Sequence, residues 1–399
     1  MPLFLPFRGL RYRASFDLSR VTAPPYDVLS DADRSELAAR DPHNIVVVDL
    51  PTGSDPYTTA AATLARWRDQ GVLVLDERPS FTLYRMTFTD AEGRRRTTVG
   101  VIGALEVVDE GNGEVLPHEQ TTPKAKSDRL DLTRATRSNL SPVWGLSLRE
   151  QLTDALVARG EAVGEFLDEH GVTHSTERVD DPTRVRSISS LVGSQPVLIA
   201  DGHHRYAVSR TYRDEMKGTQ LAAAASTTMA YVAELVESQI SIAAIHRLYR
   251  GLDSVRLRTI LAERFVVSSV EGLVTPGIVG EMANRGALCL VDNNLNGWWL
   301  TPKPGAFAGI RDLDSQRLEH ALRGTTHEVA YQHGAREVLD LVRTNVAHAA
   351  VLIRPTSIGE IRRTAEEHVL MPPKSTFFTP KLRTGLVIRP LVEQGSSSG

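Results

Sequence analysis

Four short stretches of this sequence carry residue types that could do chemistry. The first is Val197-Leu-Ile-Ala-Asp-Gly-His-His-Arg-Tyr206. Its apolar start predicts a short buried strand, Gly202 lets the chain turn, and a helix opens behind it. The first turn of a helix has backbone N–H groups without partners and a positive dipole end, so it favours an anion. His203, His204 and Arg205 add donors there, and arginine can fork onto phosphate oxygens. Asp201, at the strand end, could cap the helix or hold a metal. The plainer alternative is a capped turn with two exposed histidines. Four polar groups on one turn favour a phosphate or nucleotide site.

The second stretch is Val115-Leu-Pro-His-Glu-Gln-Thr-Thr-Pro-Lys-Ala-Lys-Ser-Asp-Arg-Leu130. His118, Glu119, Lys124, Lys126, Asp128 and Arg129 crowd a loop and a helix start. Such a mixture could supply a general base, a metal carboxylate and phosphate clamps. A solvated charged loop is the ordinary alternative. The third stretch is Ala23-Pro-Pro-Tyr-Asp-Val28, where two prolines fix an extended approach to Tyr26 and Asp27. Tyr26 could equally pack inside a rigid loop. The fourth spans 371–386, where Lys374, Ser375 and Thr376 could close on an anionic ligand. Alternatively, Phe377 and Phe378 could dock a terminal strand on the core.

Composition narrows the classes. Lys and Arg number 46 against 49 Asp and Glu, a net charge of −3, which gives no basic face for nucleic acid. One cysteine, Cys289, excludes internal disulfides, zinc knuckles and iron–sulfur sites. It lies in an apolar strand pattern and reads as inert core. No apolar run reaches membrane-spanning length, and the start is too short and proline-broken for a signal peptide. A cytoplasmic protein acting on a small molecule, with no nucleic-acid or membrane partner, is expected. P-loop, GxGxxG, HExxH and GxSxG patterns are absent.

The elements that must position these residues are mixed. Helices are predicted at 31–40, from Pro56 to Gln70 with Asp55 as cap, at 127–138, at about 150–169, just before Gln195-Pro196, and from the His-His-Arg turn to about Met216. Strands are predicted at 81–89, 97–108, 197–200 and 227–237. Beyond 251, helical and strand patterns alternate. The class is α/β, or mixed α+β. The end, 395–399, reads as a flexible tail.

As an ordered series these segments resemble the DUF1015 family of bacteria and archaea, over about 20–390. The carriers are Ala23-Pro-Pro-Tyr-Asp-Val28, Pro42-His-Asn-Ile45, Leu50-Pro51, Pro117-His-Glu119, Lys126-Ser-Asp-Arg-Leu130, Asn139-Leu-Ser-Pro142, Ile199-Ala-Asp-Gly-His-His-Arg-Tyr206 and the 371–386 stretch. Asp201-Gly-His-His-Arg205 further resembles the phosphate-binding motif of the ParB/sulfiredoxin-like fold, and is most similar to that of a free serine kinase. His203 occupies the region where sulfiredoxin has a reactive cysteine, so thiol chemistry is not implied.

The resemblance implies a nucleotide-binding unit at 96–250, an N-terminal α/β segment at 1–95 and a C-terminal α/β domain at 251–394. It implies a nucleotide- and Mg²⁺-dependent phosphotransferase for a small hydroxylated metabolite, free serine being one candidate, with ATP or another nucleotide as cofactor. Gly202, His203, His204, Arg205 and Lys374 would hold the nucleotide, and Lys374 is expected near Arg205. Asp201 or Glu119 would hold Mg²⁺. Glu119, Lys126 and Asp128 would be catalytic, with Tyr26, Asp27, His118, Arg129, Ser375 and Thr376 as further candidates. Two departures stand out: Ala207-Val208 replaces an acid and a threonine, and Ile245-His-Arg247 keeps only part of a Pro-Thr-His-Arg pattern. Alternatives are a nucleotide-binding or -hydrolysing switch without transfer chemistry, and an interaction protein with a decayed site.

Overall fold

The computed structural model describes residues 1–90, 93–119 and 126–391, with only the backbone of Lys126 and Ser127. The predicted tail at 395–399 and Lys124 lie outside the described residues. The chain divides into two compact units. Of the described residues, the first holds 1–241, 365–368 and 380–391; the second holds 242–364 and 369–379.

The first unit is built on a mixed sheet of nine strands. From one edge they run Val115–Pro117, Val197–Asp201, Val143–Ser147, Thr227–Glu234, Arg95–Glu106, Phe81–Thr89, Thr173–Val179 and Glu161–Leu167, and Phe4–Leu5 also pairs with Arg95–Glu106. Val101, Leu83, Val197 and Val232 build one core with Ile188 and Val192 of the helix Pro182–Gly193. That helix starts where Asp181 accepts a hydrogen bond from the Arg184 N–H at 2.8 Å. The expected division at 95/96 falls within one hairpin, because Arg95 pairs with Thr89 across the turn.

Most pairs in this sheet are antiparallel, but Val143–Ser147 runs parallel to Thr227–Glu234, and Val115–Pro117 runs parallel to Val197–Asp201 with Pro117 opposite Ile199. Their carboxyl ends therefore lie side by side. His118-Glu119 and Gly202–Arg205 leave the sheet from adjacent strand ends, the place where α/β sheets commonly hold ligands.

The helix predicted at about 150–169 is instead a short helix, Leu152–Val157, and an edge strand, Glu161–Leu167. Two glycines, Gly160 and Gly164, weaken a helix there. Gly164 also has a packing reason: a Cβ on it would stand 2.4 Å from Leu18 Cδ1. The helix Pro56–Asp69 forms as expected and buries Leu64 and Trp67, but Asp55 makes no side-chain cap.

The second unit carries a six-stranded antiparallel sheet in the order Phe265–Leu273, Asn296–Pro302, Leu288–Asp292, Ala349–Leu352, Ile245–Arg250, Glu328–His333. Cys289 is wholly buried in it, and burial pushes its thiol up to about 12, as inert core requires. Among the described residues no helix is long and apolar enough to cross a membrane.

Candidate functional site

The site begins where the strand Val197–Asp201 ends. Gly202 takes a left-handed conformation, φ +86°, and the helix His203–Glu215 starts at the next residue. A Cβ at Gly202 would lie 3.0 Å from both Cζ and Nε of Arg205, so the guanidinium sits directly over the turn. The helix is anchored behind by Tyr206, whose hydroxyl donates to the Glu106 carbonyl at 3.0 Å and accepts from the Val108 N–H at 2.9 Å.

Arg205 is nine-tenths buried, with 10% side-chain exposure, yet loosely held. One Nη donates to the Pro142 carbonyl. The other stands 3.5 Å from Asp201 Oδ2 and 3.8 Å from Asp27 Oδ2, beyond good hydrogen-bond range. Its Nε is buried and has no hydrogen-bond partner among the described residues. His203 Nε2 is in the same condition. Buried donors left this way are costly, and a ligand is one explanation for their persistence.

Lys381 is the cation that the sequence reading missed. Its Nζ lies 3.2 Å from Asp201 Oδ2. Burial pushes the Asp201 carboxyl up, but Lys381 and Arg205 outweigh it and hold the group at about 2. Asp201 is therefore a carboxylate at neutral pH. Its proximity to Lys381 had no local signal, since the two residues are 180 positions apart.

The neighbouring strand end brings His118. Its Nδ1 is 2.5 Å from the Ile199 carbonyl and its ring centroid is 4.8 Å from that of His203. Burial lowers His118 to about 4, and burial with the adjacent His118 pulls His203 well below its ordinary value. Both imidazoles are neutral at pH 7. They offer hydrogen bonds to a ligand, while Arg205 and Lys381 supply positive charge. Glu119 Oε2 is 3.8 Å from His118 Nε2. His204 follows on the same helical turn and is partly exposed.

A second layer flanks Arg205. Arg129 lies over the Tyr26 ring, 4.3 Å from its centroid. Arg129 also donates to the Asp49 carbonyl at 2.6 Å and stands 2.6 Å from Asp128 Oδ2. Tyr57 donates to the other Asp128 oxygen at 2.8 Å. Burial pushes the Tyr26 phenol to about 12 and raises Asp49. Asp49 and Tyr57 were not singled out by sequence, although Asp49 directly precedes the Leu50-Pro51 carrier.

Three of the four predicted segments are thus brought together, through Tyr26, Asp27, His118, Glu119, Asp128, Arg129, Asp201, His203 and Arg205. The fourth is split. Lys374, Ser375 and Thr376 belong to the second unit, and Lys381 to the first. Lys374 is exposed, whereas Ser375 is buried and donates to the Pro372 carbonyl at 2.7 Å. Lys126 opens the helix Lys126–Thr136, but its side chain lies outside what is described. Val208, one of the two departures, is buried with Leu130 and Tyr212. At the other, the retained His246-Arg247 is buried in the second unit, where Arg247 donates to the Lys374 carbonyl at 3.2 Å. Among the described residues no three His, Cys, Asp or Glu side chains converge as a metal-holding group.

A family model described as "Protein of unknown function (DUF1015)" matches residues 4–318. The chain belongs to this family. No curated protein matches it. Among solved structures, a conserved hypothetical protein from Pyrococcus furiosus is 12% identical, covering 67% of this chain and 87% of its own, with a TM-score of 0.37. A variant free serine kinase in complex with ADP is 13% identical, covering 68% and 89%, with a TM-score of 0.38. SbnI with a C-terminal truncation, from Staphylococcus aureus, is 12% identical, covering 74% and 90%, with a TM-score of 0.40.

Proposed function

We propose that this family member is a nucleotide-dependent phosphotransferase acting on a small hydroxylated metabolite, with free serine as the first candidate acceptor. The observation that carries the reading is the buried, under-partnered Arg205 over the Gly202 turn at a helix start. A phosphate fits this cradle. It would meet the N–H groups of the helix end, Arg205 Nε and neutral His203.

In this reading the Gly202–Arg205 turn binds the nucleotide phosphates. Glu119, one-sixth exposed at 17% and at the neighbouring strand end, takes the proton of the acceptor hydroxyl. That oxygen bonds to the γ-phosphorus, the bond to the β–γ bridging oxygen breaks, and the nucleoside diphosphate leaves. Asp128 is a weaker base, because Arg129 and Tyr57 occupy its two oxygens. Mg²⁺, when bound, would neutralise phosphate charge, with Asp201 as its candidate carboxylate. Lys126 is a further candidate cation for the transferred group.

The test incubates the full chain with ATP, Mg²⁺ and a panel of hydroxylated metabolites, read by mass spectrometry. A phosphorylated metabolite that disappears with Glu119→Gln is expected. No phosphorylated product and no ATP consumption with any member would contradict the reading.

A further inference from the structure

The segment from 380 to 391 is sewn along the first unit. Thr384 donates to the Ala23 carbonyl at 2.8 Å and Ala23 returns a bond at 3.2 Å. Ile388 and Leu10 exchange a similar pair at 2.9 and 2.8 Å, and Leu391 donates to the Arg137 carbonyl at 2.7 Å. Buried Arg383 adds a bond to the Thr22 carbonyl at 3.1 Å. One strap therefore fixes two things at the site. It presents Lys381 to Asp201, and it holds Ala23, directly before the Pro-Pro-Tyr-Asp turn that sets Asp27 beside Arg205.

Around Asp201 the charges are unevenly shared. One oxygen, Oδ2, faces both Lys381 at 3.2 Å and Arg205 at 3.5 Å. Lys381 keeps 17% side-chain exposure and Asp201 keeps 23%, so neither is sealed. A lysine ammonium on its four-carbon stem is a mobile point charge. Phosphate oxygens at the Gly202 turn would offer both cations closer, more highly charged acceptors than a shared carboxylate oxygen.

We propose that Lys381 is a phosphate ligand of the nucleotide site, held on Asp201 until a nucleotide arrives. It then passes to the phosphate together with Arg205 and leaves the Asp201 carboxylate open. The C-terminal strap is thus part of the binding machinery. This inference rests on the nucleotide reading given above and adds a residue and an exchange to it.

The test is calorimetric titration of the full chain with ADP and, separately, with adenosine, without metal. Lys381→Met is expected to weaken ADP about tenfold or more and adenosine little, since only ADP has phosphates to lose a charge-assisted bond. Lys381→Arg should recover most of the loss. Asp201→Asn should tighten ADP, because it releases both cations. An unchanged ADP affinity in Lys381→Met, or an equal loss for ADP and adenosine, would overturn the inference alone. Should Lys381→Met fail to fold, an Asp201→Asn protein that binds ADP no tighter than wild type would overturn it. No ADP binding by the wild type would overturn the nucleotide reading and this inference with it.

Discussion

Two polar clusters in the first unit are each tied to the C-terminal strap, and they differ in how well their atoms are satisfied. In one, the Tyr84 hydroxyl lies 2.7 Å from His174 Nδ1, and His174 Nε2 lies 2.9 Å from Asp168. Tyr84 and His174 are fully buried, and Arg383 of the strap donates its N–H to the Tyr84 hydroxyl at 3.3 Å. Phe166 stacks on His174 with centroids 5.0 Å apart. In the other cluster, Arg205 and His203 each keep a buried nitrogen unpartnered, and the carboxylates around Arg205 stand at 3.5 and 3.8 Å. In the closed cluster the Tyr84–His174–Asp168 chain is satisfied throughout, and the one orphaned nitrogen beside it is Arg383 Nε. The open one has lost hydrogen bonds that a ligand could supply. Neither buried polarity nor a single orphaned atom marks a site by itself, since orphaned atoms also occur at Arg11, Tyr231 and Arg258; what sets Arg205 and His203 apart is that theirs converge on one glycine turn at a helix start.

The comparison breaks most visibly at the closed cluster. His174→Ala leaves a buried Asp168 carboxylate and the Tyr84 hydroxyl without their shared partner. Denaturant melts should show a loss of about 4 kcal/mol with nucleotide affinity intact in the folded fraction. A loss of affinity without a loss of stability would put His174 in the site.

Acid weakens both clusters, since burial lowers His174 as well as His118. His118 stays neutral in the folded protein down to about 4, whereas the unfolded chain takes its proton near 6.5. The unfolded state therefore binds more protons as pH falls, so the contribution is complete above about 6.5 and is lost on the way to about 4. It amounts to about 3 kcal/mol. Stability measured across that window should fall for the wild type and fall less for His118→Asn. Asp201 acts lower: its pKa is depressed to about 2, so its contribution is present above about 4 and lost as pH drops towards 2.

Arg205→Ala sharpens the comparison from the open side. Removing Arg205 takes a donor from the Pro142 carbonyl and a cation from Asp201, so it should lower the melting temperature by a few degrees and cost about 100-fold in ADP affinity, near 2.7 kcal/mol. Gly202→Ala is smaller: a left-handed φ and a Cβ 3.0 Å from the guanidinium should cost about 1–2 kcal/mol, with some affinity. A variant as stable as wild type would mean that the turn relaxes.

The legible parts of this site were the local ones. Asp201-Gly-His-His-Arg205 states its strand, turn and helix in five neighbouring positions, and the Pro-Pro-Tyr-Asp turn states its own stiffness. What the sequence hid was pairing over distance. Lys381 looks like any lysine in a proline-flanked loop, and Lys374, seven residues earlier, looked the better phosphate clamp. Only the antiparallel bonds of the strap to Ala23 and Leu10 bring Lys381 to Asp201. Asp49 was hidden likewise, because its partner Arg129 comes from a helix 80 positions away. In the fold, the edge strands Glu161–Leu167 and Glu328–His333 escaped notice because exposed edges carry charged, irregular patterns. The strand Asn296–Pro302, which holds Trp298 and Trp299, was passed over between the clearer patterns on either side.

The central claim is that the open cluster is a phosphate cradle. It is tested most directly by titrating ADP and adenosine into the wild-type chain and into Arg205→Ala, by calorimetry at one salt concentration. The account predicts that the wild type binds ADP about 100-fold more tightly than adenosine and that the variant closes most of that gap. ADP binding no tighter than adenosine in the wild type, or an equal gap in the variant, would contradict it.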